Sequence, residues 1–207
     1  VDSHDFFASI ARSKFIARWP LMHNTRTENV QEHSHQVTVI AHALALISNQ
    51  HYGTQLDANR IGMQAAFHDM TEVFTGDLPT PVKYASEELR AAYRVIERAA
   101  EDRLLDMLPD SLRDVYCDLI CAGHLTPEES VIIKAADTVA AYLKCVEELK
   151  AGNQEFALAE SSVLGKIMDM QERVPALAYF MDAFVPAFRK TLDHQMRPIT
   201  TSESFSP

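Results

Sequence analysis

Four side chains set the first constraint on this chain: His33, the adjacent pair His68-Asp69, and Asp137. Each stands in a stretch whose apolar spacing predicts a helix. The stripe His33, Val37, Ile40, Leu44, Ile47 alternates steps of four and three, so His33 falls on a core face one turn from the helix start. Asp137 is flanked by Ala135, Ala136, Val139 and Ala140. A carboxylate in such a segment is unfavourable unless it is paired or bound to a cation. The fold that relieves this gathers three helices around one point inside a bundle. Two imidazole nitrogens and two carboxylate oxygens, with no thiolate, suit a divalent metal and leave positions open if it is six-coordinate. An open position beside bound water is what metal-assisted hydrolysis needs, so the pattern points to an enzyme.

The rest of the chain agrees with an all-α class and one domain. Its 207 residues include only 6 glycines, and 47% are hydrophobic, enough for a substantial core built from helices. Phe6, Phe7, Ile10, Phe15 and Ile16 predict a first amphipathic helix, stopped near Arg18-Trp19-Pro20. Asn29 caps the next, with Glu32 three residues on, and the stripe carries it to about Ile47. Asp57 starts a third, with Ile61, Ala65, His68 and Glu72 on one face; on a continuous helix Asp69 then stands about 100° away from His68. The run Thr75 to Pro81 reads as a loop. A long helix over Ser86–Met107 carries Leu89, Tyr93, Ile96, Ala100 and Leu104, and a shorter one holds Leu112–Cys121. Thr126-Pro127-Glu128-Glu129 is a helix start with cap, first-turn proline and capping-box glutamate, and its helix runs to Lys150 before Gly152. Helices over Glu155–Glu172 and Pro175–Asp193 follow, the second interrupted at Pro186. The expected division is a domain over 1–197 and a loose tail over 198–207.

The net charge of −10 argues against nucleic-acid polymers, whose affinity rests on phosphate contacts, but leaves room for a small phosphorylated ligand. No apolar run reaches the roughly 18 residues of a membrane span. Cys117, Cys121 and Cys145 form no CxxC pair and read as reduced core thiols, which favours a cytoplasmic protein. His4, His23, His35, His42, His51, His124 and His194 show no second paired arrangement.

Three further positions carry chemistry. Glu72, one turn after His68, fits a water-orienting base; a solvent-facing glutamate is its ordinary alternative. Asp77 follows Gly76 on the loop, where either a functional carboxylate or a plain turn aspartate fits. Arg18 suits a phosphate and the indole of Trp19 suits one wall of a nucleoside pocket; a surface arginine beside a core tryptophan fits equally.

The order of the four metal-candidate residues resembles that of the HD-domain phosphohydrolases. The segments 15–22 (FIARWPLM), 26–34 (RTENVQEHS), His68-Asp69 with Glu72, 75–84 (TGDLPTPVKY) and 140–145 (AAYLKC) resemble the bacterial 5′-deoxynucleotidases within that superfamily. The likeness extends over nearly the whole chain to about Asp193. It implies an HD-domain helical bundle and hydrolysis of deoxyribonucleoside 5′-monophosphates by a homodimer. It also implies one divalent metal ion per chain, cobalt or manganese, on His33, His68, Asp69 and Asp137. Carried over residue by residue, Arg18 orients the phosphate and Glu72 activates water. Trp19 and the segment Asp77, Leu78, Pro79, Thr80 contact the sugar side, with His33, Asp69 and Asp137 also facing the substrate. The competing readings are an HD hydrolase for triphosphates or cyclic dinucleotides, which need more cations or a second metal; a di-iron oxygenase, which needs further histidines; and a non-catalytic helical binding module.

Overall fold

The computed structural model describes residues 3–83 and 85–195, Thr80 by its backbone alone. Tyr84 and the expected tail over 198–207 lie outside the described residues. The architecture is all helical around one long central helix. The helices are α1 Phe6–Ile10, α2 Val30–Tyr52, α3 Ala58–Phe67, α4 Glu72–Thr75, α5 Thr80–Lys83, α6 Glu87–Asp106, α7 Asp110–Ile120, α8 Pro127–Lys150, α9 Ala157–Met170, α10 Ala176–Ala183 and α11 Leu192–Gln195.

Local signals account for the main boundaries. The Asn29 side chain accepts from the Glu32 N–H at 3.0 Å, and α2 runs on past Ile47 until Gly53 takes the left-handed conformation at φ 70°. Asp57 caps α3 and Ser86 caps α6 in the same way. Thr126 and Glu129 complete a reciprocal capping box on α8, with Pro127 in its first turn.

Helix α2 packs against α3, α8 and α10. Val37, Ala41 and Leu44 of α2, Ile61 and Ala65 of α3, Val139 and Leu143 of α8, and Leu177 of α10 are all fully buried in one cluster. Each large side chain there contributes about 1.5 to 3 kcal/mol by leaving water. A second cluster joins Phe6, Val30, Met70, Leu104, Leu105, Leu108 and Ile120. The segment His68–Asp69 lies between the last residue of α3 in the first cluster, Ala65, and Met70 in the second.

Several elements depart from the sequence expectation. The third helix does not continue to Glu72: α3 ends at Phe67, residues 68–71 form turns, and α4 begins at Glu72. The first helix is one short α turn followed by a 3₁₀ stretch, Ala11–Phe15, and leaves Phe7 and Phe15 exposed. On α6, Tyr93, Ala100 and Leu104 are buried as expected but Leu89 and Ile96 are exposed. The expected loop from Thr75 to Pro81 contains the start of α5. The last expected helix divides into α10, a 3₁₀ stretch at Pro186 and α11. Among the described residues no helix is long and apolar enough to cross a membrane.

Candidate metal centre and its arginine loop

His33, His68 and Asp69 bring one ligand atom each to within 4.8 Å of one another. His33 comes from the first turn of α2 and is fully buried; His68 and Asp69 come from the turn after α3. Asp69 Oδ2 lies 3.1 Å from His68 Nε2 and 3.5 Å from His33 Nε2. Asp137, from the middle of α8, joins through His33: its Oδ1 lies 3.1 Å from His33 Nε2, while its Oδ2 accepts from Lys134 Nζ at 2.7 Å. Ligand atoms about 2.1 Å from a shared cation sit about 3.0 to 3.4 Å apart, so these spacings are those of neighbouring metal ligands.

The turn at 68–71 is what makes the adjacent pair usable. His68 Nδ1 lies 2.7 Å from the Ala65 carbonyl, so it carries the proton and donates. That leaves a lone pair on the buried Nε2, which finds no hydrogen-bond partner. A histidine held by a backbone carbonyl on one nitrogen and bare on the other is oriented as a metal ligand. The donor set therefore fits a divalent ion. Burial disfavours the imidazolium of His68, but Asp69 and Asp137 outweigh it and raise its pKa. Burial also disfavours the Asp137 carboxylate, yet Lys134, His33 and His68 hold it ionised well below the usual range. Asp69 is likewise held low against burial, chiefly by His68.

A loop carries the phosphate-candidate residues to this cluster. An isolated antiparallel bridge between Ala17 and Asn29 closes it. Arg18 N–H donates to the Glu28 carbonyl at 2.9 Å and Val30 N–H to the Ile16 carbonyl at 3.0 Å. The bridge sets Glu28 beside Arg18. One atom, Glu28 Oε2, accepts from both Arg18 Nε and Trp19 Nε1 at 3.2 Å. Arg18 Nη1 then reaches Asp69 Oδ2 at 3.3 Å, against the metal cluster. Burial works against the Arg18 charge, but Asp69, Asp137, Glu28 and Asp77 more than compensate and raise its pKa. Among the described residues Trp19 alone combines a side chain with positive φ, at 56°. That conformation costs about 1 to 3 kcal/mol and persists only where the surroundings impose it. They do so here: the Trp19 carbonyl accepts from Met22 N–H at 3.1 Å and Asn24 Nδ2 at 3.2 Å, and its ring lies 5.4 Å from that of Phe156.

The far side of the loop is clamped to α8. The buried Glu148 carboxylate accepts from Thr25 N–H at 2.9 Å, Thr25 Oγ1 at 2.7 Å and Asn153 Nδ2 at 2.9 Å, and pairs with Lys144. Lys144 Nζ also donates to the Arg26 carbonyl at 2.6 Å. Glu28 and Glu148 are the residues that sequence reading misses. The one legible sign is Lys144 and Glu148 at a spacing of four, on the same face of the helix.

Glu72 opens α4 and is half-buried, with Oε2 unpartnered. Burial, then Asp69 and Asp77, push its carboxyl up to about 9 against the pull of Arg18 and Lys83. A cation among His33, His68 and Asp69 acts in the opposite sense. Asp77 is raised by burial, and its carboxyl shares a main-chain hydrogen bond with Trp19. Leu78 and Pro79 are half-buried on the connection that follows, and Thr80 begins α5.

Residues 5–188 match the model of the family described as 5′-deoxynucleotidase YfbR-like. The chain belongs to this family. It is 52% identical over 187 residues to the 5′-deoxynucleotidase of Shewanella oneidensis, covering 90% of this chain and 95% of that protein. It is also 52% identical over 188 residues to 5′-deoxynucleotidase YfbR of Salmonella paratyphi B, covering 91% and 94%. Among solved structures, an HD-domain phosphohydrolase from Listeria innocua superposes with a TM-score of 0.76 at 27% identity, over 89% of this chain and 88% of its own. A cyanophage S-2L HD phosphohydrolase bound to dA and one catalytic Zn²⁺ shares the fold, with a TM-score of 0.61 at 21% identity over 89% and 96%. Family membership and fold together make the expected HD-domain bundle a finding.

Proposed function

We propose that the chain is a metal-dependent 5′-deoxynucleotidase, hydrolysing deoxyribonucleoside 5′-monophosphates to deoxynucleoside and phosphate. The observation that carries this reading is the convergence of His33, His68 and Asp69 against Arg18, in a member of the 5′-deoxynucleotidase YfbR-like family. His33, His68, Asp69 and Asp137 hold one divalent ion, cobalt or manganese. An ion held there would supply Lewis-acid chemistry, activating water and polarising a phosphate oxygen.

The chain's own groups supply the rest. Arg18 spends Nε on Glu28 and Nη1 on Asp69, which leaves further N–H donors for a phosphate oxygen as charge builds in the transition state. Glu72, with a free carboxyl oxygen, exchanges a proton with the attacking water. Trp19, fixed in a strained conformation, forms a rigid wall for the sugar. An apolar wall alone rejects a hydroxyl by only about a hundredfold, so selectivity against ribose rests on how tightly Trp19 and the Asp77–Thr80 segment close on the 2′ position. The proposal includes a homodimer in the cytoplasm; Val95, Ile96 and Val115, 50% to 60% exposed on α6 and α7, are apolar candidates for its interface.

The test strips the protein with a chelator and adds back cobalt, manganese or zinc. Bound metal per chain and phosphate release from dAMP should rise together to one ion per chain. Asp137→Ala should lose both. Full metal content in that variant removes Asp137 from the ligand set, and release independent of metal ends the reading.

A further inference from the structure

A second chemical cluster, sharing no residue with the histidine–aspartate centre, lies at the end of α7. Cys117 and Cys121 are half-buried, with their sulfurs 2.9 Å apart. His124 Nε2 lies 3.7 Å from Cys117 Sγ, and His124 Nδ1 lies 2.8 Å from Asp118 Oδ1. All three cysteines are free thiols as expected, but only Cys145 is fully buried; Cys117 and Cys121 are half-buried against the second cluster, where the exposed His124 reaches Cys117.

We infer that Cys117 and Cys121 are a peroxide-reactive dithiol site, closing reversibly to a disulfide with His124 as proton acceptor and Asp118 orienting it. The geometry assigns each role. Asp118 holds the proton on His124 Nδ1, which turns the lone pair of Nε2 toward Cys117. Reactive cysteines sit in such accessible surroundings beside a base, whereas buried ones are inert. Cys117 is therefore the attacking sulfur. Cys121 is the resolving one by position, its sulfur 2.9 Å from that of Cys117; burial, then Cys117 and Glu101, raise its thiol pKa, so it is the weaker first nucleophile and gives up its proton only as it attacks.

The steps balance. The Cys117 thiol gives its proton to His124 Nε2. Its sulfur attacks one oxygen of hydrogen peroxide, the S–O bond forms and the O–O bond breaks. The departing hydroxide takes the proton from His124 and leaves as water. Cys121 sulfur then attacks the resulting sulfenic acid, the S–S bond forms, the S–O bond breaks, and a second water leaves with the Cys121 proton. One peroxide is reduced to two waters and two thiols are oxidised to one disulfide.

The backbone permits the closure. A disulfide needs sulfurs at about 2.05 Å, so this pair must approach by slightly less than about 1 Å. Cys121 stands just past the last residue of α7, in extended backbone at ψ 114°, so the shift falls where the chain has already left the helix.

The experiment treats the full-length, metal-loaded protein with equimolar hydrogen peroxide, in buffer freed of trace metals beforehand. Peptide mass mapping should show a 117–121 crosslink that dithiothreitol reverses, with Cys145 still reduced. Cys121→Ser should stop at a Cys117 sulfenic acid captured by dimedone. His124→Gln should slow oxidation by at least about tenfold with the thiol count and melting temperature unchanged. Both side chains are exposed, so neither His124→Gln nor Asp118→Asn threatens the fold. Oxidation no faster than that of glutathione at the same pH, oxidation at Cys145, or a His124→Gln variant as fast as the parent overturns the inference. None of these readouts uses nucleotide hydrolysis, so the two proposals stand or fall separately.

Discussion

Glu28→Ala removes the single oxygen that anchors both Arg18 and Trp19. The loss can be worked from the contacts. The Arg18 side chain is 11% exposed and that of Glu28 9%, so water does not readily replace the bond. A hydrogen bond between charged groups in such a place contributes about 1.5 to 3 kcal/mol, and the neutral indole N–H about 0.5 to 1.5 kcal/mol. Stability should therefore fall by about 2 to 4.5 kcal/mol. Arg18 keeps Asp69, and the Trp19 backbone keeps Met22 and Asn24, so the loop stays closed while the guanidinium loses one of its two side-chain anchors. Misplacing a phosphate-binding group by an ångström costs about 10- to 100-fold in kcat/KM. Glu28→Gln retains an acceptor oxygen of the same reach and should restore most of that rate. Urea unfolding and phosphate release from dAMP at saturating metal measure both effects. A Glu28→Ala protein whose kcat/KM stays within about twofold of the parent refutes the positioning argument.

Two more perturbations separate chemistry from folding. Glu72→Ala should lower turnover by about 100-fold or more while metal content and melting temperature hold, since its carboxyl acts on a proton and one buried oxygen has no partner; turnover near the parent rate makes Glu72 a bystander. Glu148 has a folded pKa depressed below the ordinary glutamate value of 4.5, burial being outweighed by Lys144, Thr25 and Asn153. Its contribution to stability is thus fully present above that value and is lost as pH falls through the folded pKa, so Glu148→Gln should be less stable than the parent at neutral pH by a gap that narrows in acid. A gap that stays constant between neutral pH and acid contradicts this.

How much the sequence reveals depends on the range of the interaction. The starts of α2, α3, α6 and α8 are legible because Asn29, Asp57, Ser86 and Thr126 bond to residues three positions on. The convergence of His33 and His68 is legible because both fall on core stripes. The end of α3 is not. No glycine or proline stands between Phe67 and Glu72. Instead the His68 imidazole takes the Ala65 carbonyl at 2.7 Å, while the His68 main-chain N–H reaches the same carbonyl at a long 3.4 Å. Glu28 gains its role from a bridge across the Arg18 loop, which leaves no periodic trace. The trio Cys117, Cys121 and His124 does leave one, at steps of four and three, but its register shows only on a helix whose end falls at Cys121.

The central claim is that this metal site and its arginine loop select a deoxynucleoside 5′-monophosphate. The most direct measurement is phosphate release from dAMP and AMP, side by side, by the metal-loaded protein at matched concentrations. The account predicts rapid release from dAMP, with AMP slower by about a hundredfold if Trp19 and its neighbours exclude the 2′-hydroxyl as an apolar wall does. Equal rates on the two nucleotides would contradict it and leave an HD-domain phosphohydrolase without deoxyribose selectivity.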